Sequence, residues 1–150
     1  IEPEEVAVER LECAAVNQLE EIDRVNDAVN EFGERCEIPM AVSLKLNMVF
    51  DELLNNIISY GYEDQQEHEI EVVLEYAAHR LTITISDDGM PFNPFTREGP
   101  DTTLALEERD IGGLGIHLVK SVMDEVKYQR RNKRNVVTLI KNLDDSAGGN

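Results

Sequence analysis

Three short stretches hold the residues best placed to do chemistry. Glu52, Asn56 and Tyr60 recur at i, i+4 and i+8, a spacing that lines them along one side of a helix with a drift of about 40° per step. A carboxylate and an amide held side by side among apolar neighbours cost desolvation unless something satisfies them. A hard cation such as Mg²⁺ holding phosphates would do so, because it takes oxygen ligands and keeps several waters. The amide oxygen of Asn56 suits a direct contact to such an ion. Glu52, one turn away, suits orienting or deprotonating an attacking hydroxyl. The alternative is that Asp51, Glu52, Asn55 and Asn56 are only the wet face of the helix.

The second stretch is Asp87-Asp88-Gly89. Ile83, Ile85 and Asp87 continue one inward alternation of a strand, which draws the Asp87 carboxyl toward the interior. There it needs a donor, and the exocyclic amine of adenine is one. Gly89 allows a close backbone approach and a positive φ. Met90-Pro91-Phe92-Asn93-Pro94-Phe95 offers apolar surface beside a base. The third stretch is Gly112-Gly113-Leu114-Gly115 ahead of a helix pattern. Such glycines let backbone N–H groups converge on phosphate oxygens, and the helix N-terminus adds partial positive charge. Each stretch alone is a common pattern; their order between Glu52 and Gly115 is not.

The elements that must position these residues follow from periodicity. Arg10 to Ala15 reads as a short strand. Asn17 is placed to cap the helix after it, whose apolar stripe is Leu19, Ile22, Val25, Val29 and Phe32. Pro39 punctuates the link to a second helix from about Ala41 to Tyr60, and Gly61 ends it. Glu69–Tyr76 and Leu81–Ser86 are rich in Ile, Val and Thr and read as an antiparallel pair joined by Ala77–Arg80. Asp88 to Gly113 is irregular, a kind of long segment that is usually functional. Ile116–Val126 predicts a third helix, and Val126–Arg130 and Val136–Asn142 predict two last strands turning at Arg131–Arg134. The tail, 144–150, carries almost no core-forming residue and is expected to be disordered. The pattern is that of one α+β domain over residues 1–150, with helices on one face of a mixed, mostly antiparallel sheet.

Composition narrows the partners. The chain has 150 residues and a formal net charge of −17, enough length for one real core and a surface that repels nucleic acid and anionic lipid. No apolar run approaches the roughly 20 residues of a membrane span. Cys13 and Cys36 lack metal-ligand spacing and fit buried thiols of a reducing cytoplasm, and His68, His79 and His117 are scattered. Residues 127–141 hold six bases and no acids. That stretch reads either as a solvated strand pair or as a docking edge for an acidic partner. The chain opens on Ile1 and is compatible with a segment of a longer polypeptide.

Taken together, Phe50–Tyr62 resembles the N box of the GHKL ATPase superfamily, which includes gyrase, histidine kinases and MutL. Asp87–Gly89 resembles its G1 box and Gly112–Gly115 its G2 box. Within that superfamily the chain is most similar to the anti-sigma factor serine kinases (RsbW type), from about Leu11 to Leu143. Tyr60-Gly61-Tyr62, Pro91-Phe92-Asn93-Pro94 and Met123-Asp124-Glu125-Val126 point there. The resemblance implies a two-layer α/β sandwich of the Bergerat type with ATP and Mg²⁺ as cofactors. It implies phosphorylation of a serine on an anti-anti-sigma (STAS-domain) partner by a cytoplasmic homodimer that sequesters a sigma factor. It also implies roles: Asn56 on Mg²⁺, Glu52 as catalytic base, Asp87 on the adenine amine, and the Gly112–Gly115 backbone on phosphates.

Two departures bear on the base pocket. Pro91 stands where many superfamily members have a second glycine, and Arg134-Asn135 stands where a Gly-Thr pair often helps to bind adenine. Asn135 is therefore a candidate replacement for the threonine hydroxyl, and Arg97 and Arg109 are candidates for a lid arginine. His117 reads as a packing or surface residue. Two other functions fit the motifs: an ATP-loaded binding module with weak or no kinase activity, and the catalytic domain of a histidine kinase. The latter calls for a phosphoacceptor histidine upstream of the N box, where this chain has none.

Overall fold

A computed structural model describes residues 7–95 and 115–143. The elements run β1 (Glu9–Val16), α1 (Glu21–Arg35), α2 (Met40–Tyr60), β2 (Glu69–Ala77) and β3 (Arg80–Asp87). A helix, α3, follows, helical over 115–122 among the described residues, and then β4 (Glu125–Arg131) and β5 (Arg134–Asn142). The five strands form one sheet in the order β1-β2-β3-β5-β4. All four of its pairings are antiparallel, so the described sheet is more uniform than the mixed one expected.

Period-two alternation sets the two faces of the sheet. Ile70, Val72 and Leu74 of β2, Leu81, Ile83 and Ile85 of β3, and Val137 and Leu139 of β5 are buried together. Their neighbours in sequence, such as Thr82 and Thr84, face away and stay partly exposed. The helices cover the buried face. Val25, Val29 and Phe32 of α1, Leu46, Val49, Phe50, Leu53 and Leu54 of α2, and Val119 and Val122 of α3 join the same core. Each such side chain contributes roughly 1.5–3 kcal/mol through burial. Gly33 lets α1 sit close to α2, since a Cβ there would lie 2.6 Å from Ser43 Oγ.

Three local expectations change. Asn17 caps no helix: its side chain accepts from His68 N at 2.9 Å and donates to Gln66 O at 3.1 Å, tying the end of β1 to the segment before β2. The helix starts later, at Glu21, whose carboxylate accepts from Val16 N at 2.9 Å. That contact and Arg24 hold the Glu21 carboxyl down to about 2, the Arg24 hydrogen bond being the larger cause. Finally, α3 stops at 122, short of Val126. Asp124 is already committed to β5, its N–H donating to Ile140 O at 2.8 Å and its carboxylate accepting from Asn142 N at 2.6 Å.

Both hairpin turns place paired non-glycine residues at positive φ. These are Ala78 and His79 at 52° and 63°, and Asn132 and Lys133 at 54° and 65°, the geometry that matches the twist of flanking strands. Gly112, Gly113, Leu114, Arg97, Arg109 and the 144–150 tail lie outside the described residues.

Candidate active site

The site sits where the C-terminal end of α2 meets the C-terminal end of β3. Asp87 closes β3 on its inward alternation and is 3% exposed. Its Oδ2 accepts from Gly89 N at 2.8 Å and from Asn135 Nδ2 at 3.1 Å. Those donors occupy one oxygen only; Oδ1 has no hydrogen-bond partner among the described residues. Burial pushes the Asp87 carboxyl above its ordinary range, and the Asn135 and Gly89 donors oppose that shift.

Asp87 lines a cavity whose walls are Leu53 and Ile57 of α2, Ile85 of β3, Val137 of β5, and Met90, Phe92 and Pro94 of the following segment. The lining is apolar apart from a few polar groups, so a free carboxylate oxygen in its wall offers an acceptor beside apolar packing surface. Pro91 is exposed and absent from the lining, so its two neighbours, and not Pro91, supply the apolar surface there.

Asn56 is buried at 8% exposure and also lines the cavity. Its Nδ2 donates to Glu52 Oε2 at 2.9 Å, leaving the Asn56 oxygen and Glu52 Oε1 without side-chain partners among the described residues. On the other side of Asn56, Glu52 lines a separate groove with Met48, Asp51, Asn55, Gly115 and Leu118. Gly115 lies directly on the Glu52 carboxylate, where a Cβ would collide with it. Among the described residues no cluster of three or more His, Cys, Asp or Glu could hold a metal. A divalent ion here would rely on the Asn56 oxygen plus water and phosphate oxygens, the donor set that Mg²⁺ accepts and a zinc site does not. Tyr60, on the same row of the helix, is 62% exposed and takes no part in the cavity.

Gly89 is needed for space and not for a special backbone angle, since no described glycine has positive φ. A Cβ on Gly89 would sit 2.6 Å from Gly61 O and 2.9 Å from Asp87 Oδ2. Met90 N donates to that same Gly61 oxygen at 2.9 Å. The end of α2 and the Asp-x-Gly turn are therefore locked backbone to backbone.

Asn135 lines the same cavity, with its amide engaged by the protein. Its Nδ2 donates to Asp87 and to Met90 O, at 2.8 Å for the latter. Its Oδ1 accepts from Phe92 N at 3.2 Å and from Tyr128 OH at 2.5 Å. The amide's donors and acceptors are all engaged by the protein, so Asn135 shapes the cavity wall.

Several participants had no sequence signal. Arg130 Nη1 donates to Gly89 O at 2.8 Å, and Arg134 Nε donates to Ser86 Oγ at 2.8 Å. Two of the bases in the 127–141 stretch thus brace the turn from β4 and β5. His68 stacks on Tyr62 with ring centroids 4.3 Å apart, and its two ring nitrogens meet Asp64 at 2.8 Å and Asp88 at 3.2 Å. Asp64 and, less strongly, Asp88 hold the His68 imidazole above its ordinary range. Only the local contact of His68 with Asp64, four residues apart, was open to a sequence reading. His117 is exposed, and the Cys13 and Cys36 thiols are free and half-buried.

Residues 15–141 match the family described as a histidine kinase-like ATPase domain. A serine/threonine-protein kinase, BtrW, of Bordetella bronchiseptica is 30% identical over 94 residues, covering 63% of this chain and 66% of that protein. A serine-protein kinase, RsbW, of Bacillus velezensis is 30% identical over 88 residues, covering 56% of this chain and 55% of its own length. The matches therefore span between about half and two thirds of these curated relatives. Among solved structures, the histidine kinase domain of an Erythrobacter litoralis blue-light activated kinase superposes over 83% of this chain and 60% of that one. Its TM-score is 0.51 at 17% identity, a likeness of fold alone. With most of its length matched, the chain belongs to the histidine kinase-like ATPase domain family.

Proposed function

We propose that this member of the histidine kinase-like ATPase family is a protein serine kinase that binds ATP and passes its γ-phosphoryl group to a serine of another protein. The observation that carries this reading is the placement of Asn56. It stands in the wall of the Asp87 cavity while its amide holds Glu52, the carboxylate of the neighbouring groove. One buried side chain thus joins an apolar slot to a carboxylate able to act as a general base.

In this reading adenine fills the slot and its amine donates to the free Asp87 Oδ1. The triphosphate runs past Asn56 toward Gly115, with Gly112, Gly113 and Leu114 as phosphate-binding candidates. Bound Mg²⁺, with Asn56 as its protein ligand, would neutralise phosphate charge. Glu52 takes the proton of the acceptor hydroxyl through Oε1. The acceptor's serine oxygen, freed of its proton, bonds to the γ-phosphorus as the bond to the β–γ bridging oxygen breaks, and ADP leaves.

The names of the relatives, serine-protein kinases, support serine as the acceptor. The resemblance extends the proposal to an anti-anti-sigma (STAS-domain) acceptor, sigma-factor sequestration, a homodimer and a cytoplasmic setting. The test is label transfer from γ-labelled ATP and Mg²⁺ to purified STAS-domain proteins, comparing wild type with Glu52→Ala. The expected result is phosphoserine on one acceptor, lost in the variant while ATP binding is kept. ATP binding with no transfer to any acceptor would reject the kinase and leave an ATP-loaded binding module.

A further inference from the structure

Three of the large apolar side chains left exposed among the described residues fall on one ridge of α2. Met40 is 71% exposed, Leu44 57% and Met48 48%. They are spaced i, i+4, i+8, and the same ridge continues through Glu52 to the buried Asn56. A helix row of this kind drifts about 40° per step. The row therefore starts in solvent at Met40 and winds into the groove at Glu52. Met48 belongs to both parts, since it also lines that groove across from Leu118.

None of the three belongs to the hydrophobic core of the described residues. The core-facing side of α2 is supplied by Leu46, Val49, Phe50, Leu53 and Leu54. The side toward α1 is polar, with Asn47 donating to Asn26 at 3.0 Å and Asn26 donating to Asp51 at 2.8 Å. Among the described residues the ridge lies on the remaining flank of α2, continuous with the groove that holds the Glu52 carboxylate.

We propose that Met40, Leu44 and Met48 are the docking ridge for the protein whose serine receives the phosphoryl group. This rests on the kinase reading above. A hydroxyl delivered to Glu52 Oε1 enters the groove beside Met48, so the molecule that carries it covers the ridge. At 1.5 Å per residue the apolar contacts begin about 6 Å from Glu52 and extend to about 18 Å. The occupant is thus a folded protein with an apolar patch at that distance from its serine, and not a free hydroxy amino acid. The exposed ridge amounts to something on the order of 300 Å², the scale of a functional patch on a monomer. That is well below the roughly 800 Å² each partner gives to a stable interface. A contact of this size suits an acceptor that must dissociate after each transfer better than a second copy of the chain.

The test uses the STAS-domain protein that accepts label in the transfer assay. The double variant Met40→Gln, Leu44→Gln, which leaves the groove residue Met48 in place, is compared with wild type and with Leu19→Gln, which alters an exposed leucine elsewhere. The expected result is a KM for the acceptor protein raised several-fold or more in the double variant, with kcat and ATP affinity within about twofold, and no change in Leu19→Gln. An unchanged KM overturns the proposal while leaving the kinase reading intact. A fall in oligomeric mass on size exclusion with light scattering also overturns it, by assigning the ridge to contacts between copies. A wild type that labels no acceptor fails the kinase reading itself, and this proposal with it.

Discussion

Asn135 donates to Asp87 Oδ2 at 3.1 Å across the β3–β5 pairing in which the two residues are directly opposed. The contact fixes which carboxylate oxygen is spent on the protein and which remains for a ligand. Because Asn135 also holds Met90 O, Phe92 N and Tyr128 OH, one amide sets both the wall and the acceptor of the cavity.

Replacing Asn135 by Ala should leave a buried carboxylate short of a donor and several backbone groups unpaired. The expected cost is about 1–3 kcal/mol, with ATP affinity falling in parallel. Urea unfolding and calorimetric titration on the same preparation check both. A variant of normal stability that binds ATP more weakly would instead mean that Asn135 touches the base.

Asp87→Asn should keep the fold, because an amide oxygen can accept from Gly89 N and Asn135 as Oδ2 does. Burial raises the folded-state carboxyl above its ordinary value of 3.8, so folding takes up protons here. The Asp87 contribution is fully present below the unfolded value and is lost as pH rises through the folded one. Wild type should therefore gain stability relative to Asp87→Asn as pH is lowered toward 4, with the variant at least as stable near pH 7. Thermal melts across that range read the sign.

His68 has the same sign at higher pH. Its imidazole is held above 6.5 by Asp64 and Asp88, so this stabilisation is complete below that value and disappears as pH rises through the folded one. Amide-exchange protection at 62–68, corrected for the intrinsic pH dependence of exchange, should fall over that interval in wild type, and that fall should vanish in His68→Gln. An identical pH profile in the two proteins would contradict the clamp.

Gly89→Ala and Gly115→Ala should separate two functions. The first drives a methyl into Gly61 O at a 2.6 Å approach and should cost about 1–3 kcal/mol, as overpacking does, with loss of ATP binding. The second meets the mobile end of Glu52 and should reduce phosphoryl transfer with ATP binding largely kept. Equal effects on binding would undo the division between slot and groove.

Much of this was legible before any coordinates. Asp87 turned inward because Ile83 and Ile85 fixed the alternation, and Glu52 and Asn56 became neighbours because four residues make about one helical turn. What sequence could not yield were contacts between distant segments, such as Arg130 on Gly89, Asn17 on His68, and Gly61 on Met90. Asn135 illustrates the limit. Its position beside Asp87 follows from strand pairing, but whether its amide is free or saturated depends on Tyr128 and the 90–92 backbone, which no local pattern brings together. Gly89 shows the close backbone approach that its residue type suggests, against Gly61, but not the positive φ.

The account stands most directly on the free Asp87 oxygen meeting the amine of adenine. Calorimetric titration of ATP and of ITP, which carries a carbonyl in place of that amine, into wild type and Asp87→Asn tests it. Wild type is expected to bind ATP with Mg²⁺ and to prefer it over ITP by tenfold or more, since a buried acceptor left unpaired is costly. The variant should bind ATP at least tenfold more weakly and lose the preference. Equal binding of ATP and ITP by wild type, or an unchanged ATP affinity in Asp87→Asn, would contradict it.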